Sequence, residues 1–413
     1  MLAWAIRICG AGLAFLSFFV IIRYTDLRTA SQYSQAWATA APITLIALGG
    51  THIAIVRFLA SAAERPIELL ICMAIRIAAC SAVLTIALAW IVSAVGADVP
   101  NPWLCWSAAF LFATAVFLPE YHKARGEFGF SQALIVVLYG SCLFLVAFVH
   151  QRQQIALEAD IVSSILVIAA LLTWTLSGVH ASRHRSVDKE TKRFDALQFD
   201  IRTTTVLLMT SLLLGFDVIA VSLSGRYDQE TVVAYAGAAR IAQGFSLLLS
   251  LLYIRQPAIC MRLLKDGRTS ECQEFIRTDS TRIFSIGVVF FLLLLIAAVF
   301  WAEVVSALLT GYPSTYLLWI AAILGLGYLV NMYTGIRGYL LLLMEKTSVQ
   351  MRISVLFAVT TVFTVTLFVL LGAPVMIVAA LICAVHAAQC VTEVFAVRKH
   401  LGVDVLASSN RNR

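Results

Sequence analysis

The residues of this chain that could do chemistry are a few charges placed where charge is expensive. Asp217 lies inside the apolar run 204–224 and Arg240 inside the run 232–254. A charge at the middle of a lipid-embedded helix costs about 2.5–3.5 kcal/mol, so it is kept where it meets a partner or faces a cavity. Counted from the facing ends of the two runs, both lie roughly 11 Å below the same surface at about 1.5 Å per residue. On antiparallel neighbours they can meet. Two readings are open. Asp217 and Arg240 neutralise each other as a structural ion pair, or they line a cavity in which Arg240 offers a planar cation to a substrate phosphate while Asp217 binds or gates a coupling cation. Gln243 stands one turn from Arg240, and Asn331, His386 and Gln389 also interrupt apolar runs. Such groups either hydrogen-bond sugar hydroxyls across a cavity or tie helices together.

Other arginines mark the ends of runs. Arg57 and Arg255 close the second apolar run of each half; they anchor those helices, or they form a cationic inner mouth for an anionic headgroup. Arg23 has the same two readings at the outer side. Arg7, Arg76 and Arg352 lie within about two turns of a run's end and can snorkel to water. No Walker loop, dinucleotide-binding glycine pattern, nucleophile elbow or H-E-x-x-H motif occurs, so neither an enzyme nor a self-contained ATP-driven pump is expected, and no cofactor. His180 and His184 have helical spacing but no carboxylate or thiol placed beside them in sequence, so no metal is expected there. The nine cysteines form no C-x-x-C and mostly sit in apolar runs, reading as small core residues.

The elements that must position these groups follow from composition. Of 413 residues, 61% are hydrophobic and 13% charged, and the mean hydropathy is +0.90. A water-soluble globule lacks room for that much apolar surface. The sequence predicts an all-α polytopic membrane protein. Twelve spans are expected, at about 3–22, 34–56, 69–95, 103–119, 128–149, 160–179, 204–224, 232–254, 283–301, 315–335, 349–371 and 374–397. With the N-terminus cytoplasmic, 22 of the 30 Lys and Arg fall in inside loops and the tail, and four in outside loops. That bias places both termini in the cytoplasm. It also accounts for the net charge of +7 without nucleic acid. Trp37, Trp90, Trp103, Trp106, Trp301 and Trp319 fall toward outer span ends, as an aromatic belt does. The first run lacks a small-residue cleavage site and reads as a span.

The expected organisation is a six-helix bundle over 1–179, a charged cytoplasmic linker over 180–203, a second six-helix bundle over 204–397 and a tail over 398–413. The segment Arg255–Arg282 mixes charges with Phe275 and Ile276 and predicts a cytoplasmic interfacial helix. The halves are alike: Arg23-Tyr24-Thr25-Asp26 leads to Tyr33, and Arg226-Tyr227-Asp228-Gln229 leads to Tyr235, an offset of about 202 residues. Parallel repeats of this kind are a transporter architecture with the substrate route between them.

Three stretches carry a family resemblance. The first is an opening helix ending in Arg23, then Tyr33, then Gly49-Gly50 and Val56-Arg57-Phe58-Leu59-Ala60. The second is the Asp217 segment followed by Val232-Val233-Ala234-Tyr235 and Ala239-Arg240. The third runs from Gly338-Tyr339 through Glu345-Lys346-Thr347 and Arg352 to Val397-Arg398-Lys399-His400-Leu401-Gly402. Together they span most of the chain, which resembles the polysaccharide (O-antigen-type) flippases of the multidrug/oligosaccharidyl-lipid/polysaccharide exporter superfamily. Ser34 departs from the glycine that usually follows the loop tyrosine.

The resemblance implies two bundles around a cationic cavity. Through it an undecaprenyl-pyrophosphate-linked glycan passes from the cytoplasmic to the outer leaflet of the bacterial inner membrane by alternating access. It places the family's cavity and portal charges at Arg23, Arg57, Asp217, Arg240 and Arg255; together with the reading of the residues above, substrate contacts are expected at Arg23, Arg57, Arg240, Arg255 and Gln243 and coupling or gating at Asp217. Implied partners are the lipid-linked oligosaccharide, membrane lipid, a coupling proton or sodium ion, and polysaccharide assembly proteins. The alternatives are a lipid II flippase, a multidrug exporter of the same superfamily, or a membrane polysaccharide polymerase. A drug exporter is expected to bury more carboxylates, and Asp217 is the only deep one in the sequence reading. A polymerase is expected to need larger outer loops.

Overall fold

The computed structural model describes residues 2–51, 66–94, 101–153, 156–183, 201–344 and 346–403. All regular structure among them is helical. Twelve long helices overlap the twelve expected spans: α1 (Leu2–Tyr24), α2 (Leu27–Leu48), α3 (Pro66–Ala94), α4 (Pro102–Ala124), α5 (Phe128–Gln153), α6 (Ala159–Arg183), α7 (Ile201–Leu223), α8 (Gln229–Lys265), α9 (Thr269–Phe300), α11 (Tyr316–Thr334), α13 (Thr347–Leu370) and α14 (Val375–Leu401). Two short ones, α10 (Ala302–Thr310) and α12 (Arg337–Leu343), follow α9 and α11. Nine of the described helices are long and apolar enough to cross a bilayer, or ten if the bent α7 counts as one span. The chain is an all-α, multi-pass membrane protein.

The two long helices outside that set are α2 and α8, the second of each half. Both carry polar side chains on faces turned into protein, as with Thr29, Ser31, Ser34, Gln35, Thr39 and Thr44 on α2. That corrects the predicted start of the second span. Polar residues from 27 onward read as a loop, yet they are helical because their side chains are buried against neighbouring helices. At its other end Gly49 takes the left-handed conformation (φ 53°), its N–H capping the Leu45 and Ile46 carbonyls, and α2 stops there; residues 52–56 of the expected span lie outside the described residues. The interfacial helix expected over 255–282 is instead the end of α8, a turn at Asp266–Arg268 with Gly267 at φ 73°, and the start of α9. Most of the linker expected over 180–203 lies outside the described residues.

Two compact units make up the chain. One comprises Met1–Thr204, Ser222–Val233 and Leu309–Gly311; the other comprises Thr205–Val221, Ala234–Leu308 and Tyr312–Arg413. In the first unit α1 packs on α5, α2 on α4, and α4 on α6. The C-terminal end of α7 belongs to it, where Gln35 donates to the Ser222 carbonyl at 2.9 Å. In the second unit α11 packs on α14 and α9, and α13 on α14. The central stave of each unit is α4 or α11, both 67% buried across the span, whereas α9 is 17% buried. α9 attaches through Ser280, Gly287, Leu294 and Ala298, and turns Ile286, Val289, Leu293 and Ile296 outward. An aliphatic outer face is what lipid requires, and a small-residue inner seam lets helices approach closely. A side chain at Gly287 would run into Met332 and Leu329 of α11.

α2 and α8 begin alike. The Asp26 carboxylate accepts the Thr29 N–H at 2.7 Å, and the Asp228 carboxylate accepts the Thr231 N–H at 2.8 Å. Tyr33 and Tyr235, each seven residues beyond the capping aspartate, are fully buried. Hydrogen bonds from Thr231 hold the Asp228 carboxyl below its ordinary range, so this cap stays charged through neutral pH and is lost only on acidification. Asp26→Ala and Asp228→Ala are each expected to destabilise the protein by about 1 kcal/mol, measured as an earlier thermal unfolding of the detergent-solubilised chain.

Candidate functional site

The candidate site is in the second unit, where α7, α8, α11 and α14 meet. Asp217 of α7 is 1% exposed. Its Oδ2 accepts a hydrogen bond from the Tyr235 hydroxyl at 2.7 Å, and its Oδ1 has no hydrogen-bond partner among the described residues. Beside it is a cavity of about 20 Å³, lined by Asp217, Ala239, Ala242, Gly327, Tyr328 and His386 among others. That volume holds one water or a small cation. His386 brings an Nδ1 that also lacks a partner among the described residues, and the Tyr328 and His386 rings lie 5.9 Å apart. Small residues at 239, 242 and 327 keep the space open; at Gly327 a Cβ would lie 3.5 Å from His386 and from the Cys383 backbone.

A buried carboxylate with one hydroxyl donor is under-solvated. Removing it from water costs several kcal/mol unless it takes up a proton or a cation, or is bridged by water. The chamber therefore has the chemistry of a proton or small-cation acceptor, with Asp217, His386 and Tyr328 all lining one small space.

Arg240 is not the countercharge. Among the described residues it forms no salt bridge with Asp217; its Nη1 donates to Gln243 Oε1 at 3.0 Å, and the side chain is half-buried. Of the two readings left open by the sequence, the direct ion pair is not formed, and the reason is rotational. Tyr235 occupies the face of α8 that meets Asp217, and Arg240, five residues on, stands about 140° around the helix and roughly 7.5 Å farther along it. Of the other expected contacts, Arg23 is exposed in the last turn of α1. Arg57 lies outside the described residues, and Arg255 falls within α8 with its side chain outside them.

Sequence reasoning missed the larger polar cluster of this unit. Arg337, assigned to a cytoplasmic loop, is 4% exposed, and so is Glu393 of α14. Arg337 Nε lies 3.0 Å from Glu393 Oε2. The other guanidinium nitrogens reach Asn331 Oδ1 (2.9 Å), the Gly335 carbonyl (3.0 Å) and Cys390 Sγ (2.6 Å). Glu393 Oε1 accepts from Gln350 at 2.7 Å and Gln389 at 2.9 Å. Asn331 thus ties α11 to α12, while Gln389 supports Glu393 from within α14, one turn before it. The arrangement depends on the break at Gly335 (φ 68°), which ends α11 and turns Arg337 back toward it; at Gly338 a Cβ would come within 3.0 Å of Gln350 and 3.3 Å of Glu393. The traces in the sequence were Glu393 at i+4 from Gln389 and the Gly335–Gly338 spacing around an arginine. Glu393 also corrects the count of deep carboxylates, although its charge is matched and that of Asp217 is not.

No protein-family model matches the sequence, and no curated protein matches it. Solved structures do. An inward-facing multidrug resistance MATE family transporter of the MOP superfamily superposes with a TM-score of 0.60 at 13% identity, covering 97% of this chain and 93% of its own. The mutant form of a Vibrio cholerae MATE transporter gives 0.60 at 15% identity over 97% and 96%. A MOP superfamily transporter from Pyrococcus furiosus, described as having a binding pocket of reverse polarity that suggests a different function, gives 0.57 at 15% identity over 95% and 88%. The chain has the fold of these transporters over nearly its whole length.

Breaking one side of a buried ion pair leaves an uncompensated charge and typically costs about 3–5 kcal/mol. Arg337→Met is therefore expected to lower the unfolding temperature in detergent sharply, and the double variant Arg337→Met with Glu393→Gln to recover most of the loss, since it removes both charges while keeping an acceptor for Gln350 and Gln389.

Proposed function

We propose that this chain is a membrane transporter of the multidrug/oligosaccharidyl-lipid/polysaccharide superfamily, working by alternating access, with Asp217 as its cation-responsive group. The observation that carries the reading is the buried, half-satisfied Asp217 carboxylate beside a one-water cavity, inside a fold shared with such transporters over 97% of the chain. A carboxylate whose solvation is incomplete in one state of a protein responds to an ion gradient through its differential binding in the two states.

Two cargoes are supported by different observations. The structural neighbours described as multidrug transporters favour a drug-like organic cargo, and the second buried carboxylate, Glu393, removes part of the argument against it. The residue patterns around Tyr33, Tyr235, Ala239-Arg240 and the closing Val397–Gly402 stretch, with a half-buried Arg240 and Gln243, favour a lipid-linked oligosaccharide. In the second case the pyrophosphate meets arginine while the prenyl tail stays in lipid. In that reading the protein sits in the bacterial inner membrane with both termini cytoplasmic, Arg23, Arg57, Arg240, Arg255 and Gln243 face the headgroup, and a proton or sodium ion and polysaccharide assembly proteins are its partners. Lipid II is the neighbouring cargo.

Reconstituted liposomes separate these. Translocation of a labelled prenyl-pyrophosphate glycan without bond formation supports the flippase, gradient-driven efflux of a cationic dye supports the multidrug exporter, and new glycosidic linkages identify a polymerase. In whichever assay succeeds, Asp217→Asn is expected to remove the response to an imposed proton or sodium gradient. Arg240→Ala is expected to abolish glycan export while inserting normally and to leave dye efflux largely intact.

A further inference from the structure

A second cluster of donor atoms lies in the first unit, at the junction of α4, α5 and α6, and it belongs to none of the roles above. α4 ends in Tyr121-His122-Lys123-Ala124, and Gly126 (φ 79°) reverses the chain so that the Glu127 N–H donates to the His122 carbonyl at 2.9 Å. The turn brings the carboxylate back over the imidazole: Glu127 Oε2 lies 2.5 Å from His122 Nδ1. From α6, His180 sets its Nε2 3.4 Å from the same oxygen. The three donor atoms lie within 4.8 Å of one another.

Their surroundings fix them. His122 is fully buried, and its Nε2 meets the Ser177 hydroxyl at 2.8 Å. Ser177 stands one turn before His180 on α6. The Phe130 ring of α5 stacks on His180 at 3.7 Å with planes 14° apart. Arg125 approaches the other carboxylate oxygen, Oε1, at 3.3 Å, leaving Oε2 turned toward the two imidazoles.

We propose that His122 Nδ1, His180 Nε2 and Glu127 Oε2 form a binding site for a divalent transition-metal ion of the zinc class, with one coordination position left for water. Two imidazoles and a carboxylate are donors that zinc takes, at about 2.0–2.2 Å each, which sets donors roughly 3–3.5 Å apart around a tetrahedron. The His180–Glu127 spacing already has that value, and a small rotation of the Glu127 side chain opens the closer one. Ser177 supplies the outer contact a ligating histidine needs: with Nδ1 on the metal, Nε2 carries the hydrogen and donates it to the hydroxyl. Arg125 makes the site weaker than one without a neighbouring cation, and it holds the carboxylate in place. A metal here ties α6 to the end of α4. His180 was set aside in the sequence because no carboxylate stood near it, and Glu127 supplies one from 53 residues away.

The test uses the full-length protein in detergent, stripped with a chelator, loaded with zinc, dialysed and assayed for bound metal, with cobalt(II) as a spectroscopic probe. One zinc per chain, a raised unfolding temperature in zinc, and the visible absorption of tetrahedral cobalt are expected. Because His122 is buried and its replacement can misfold the protein, the variants are Glu127→Gln and His180→Ala. Each is expected to weaken zinc binding about ten-fold or more and to abolish the cobalt bands, while His400→Ala binds as the wild type does. A wild-type protein that holds no stoichiometric zinc, or variants at 127 and 180 that bind it unchanged, overturns the proposal and leaves a hydrogen-bonded His–Glu–His trio.

Discussion

Hydrocarbon offers no hydrogen bonds, and this constraint governs every polar atom of the chain that sits below the lipid surface. In water an unmatched carbonyl or carboxylate is solvated for nothing; in a bilayer it must find its partner within the protein. The helices obey the rule in the simplest way, by closing their backbone bonds internally and turning isoleucine, valine, leucine and phenylalanine outward. Side chains obey it by clustering. Arg337 is surrounded by Glu393, Asn331, Cys390 and the Gly335 carbonyl, and Glu393 has two further donors from Gln350 and Gln389. Against this background the Asp217 carboxylate is distinguished by having one oxygen served by Tyr235, the other without a partner among the described residues, and a cavity the size of a water molecule beside it.

The two halves make the contrast sharper. Tyr33 and Tyr235 follow the same aspartate cap at the same distance and are equally buried. With the 202-residue offset, the position equivalent to Asp217 is Phe15. In the first half the ring next to Tyr33 is that of Phe18, at 5.6 Å, and Phe15 packs on Phe19 at 4.8 Å. An aromatic cluster in one half thus corresponds to a carboxylate–phenol pair in the other. The aspartate cap and the buried tyrosine recur, and the carboxylate does not.

How much of this was legible depends on what kind of coordinate was asked for. The existence of twelve long helices follows from hydropathy, because crossing a fixed thickness demands a fixed length of apolar chain. Their ends were less legible wherever polar side chains turn inward: α2 starts at Leu27 and not near 34 because Thr29, Ser31 and Ser34 are buried. Asp217 was visible as a charge inside an apolar run. Its partner was not, because counting residues gives depth along a helix but not the face, and Tyr235 and Arg240 differ in face. Arg337 was lost for the complementary reason: an arginine between two apolar stretches looks the same whether it leaves for water or folds back, and only the turn at Gly335 decides.

The position of the Arg337–Glu393 pair in the chain has a consequence for biogenesis. Arg337 is synthesised before α13 and α14 exist, and Glu393 belongs to α14. During translation the guanidinium enters the nascent bundle with no acid to meet it, and an unmatched arginine in apolar surroundings is disfavoured by about 2.5–3.5 kcal/mol on insertion scales. The guanidinium therefore meets its countercharge only once α14 has been made, and until then Asn331 and the Gly335 carbonyl are the partners already available to it.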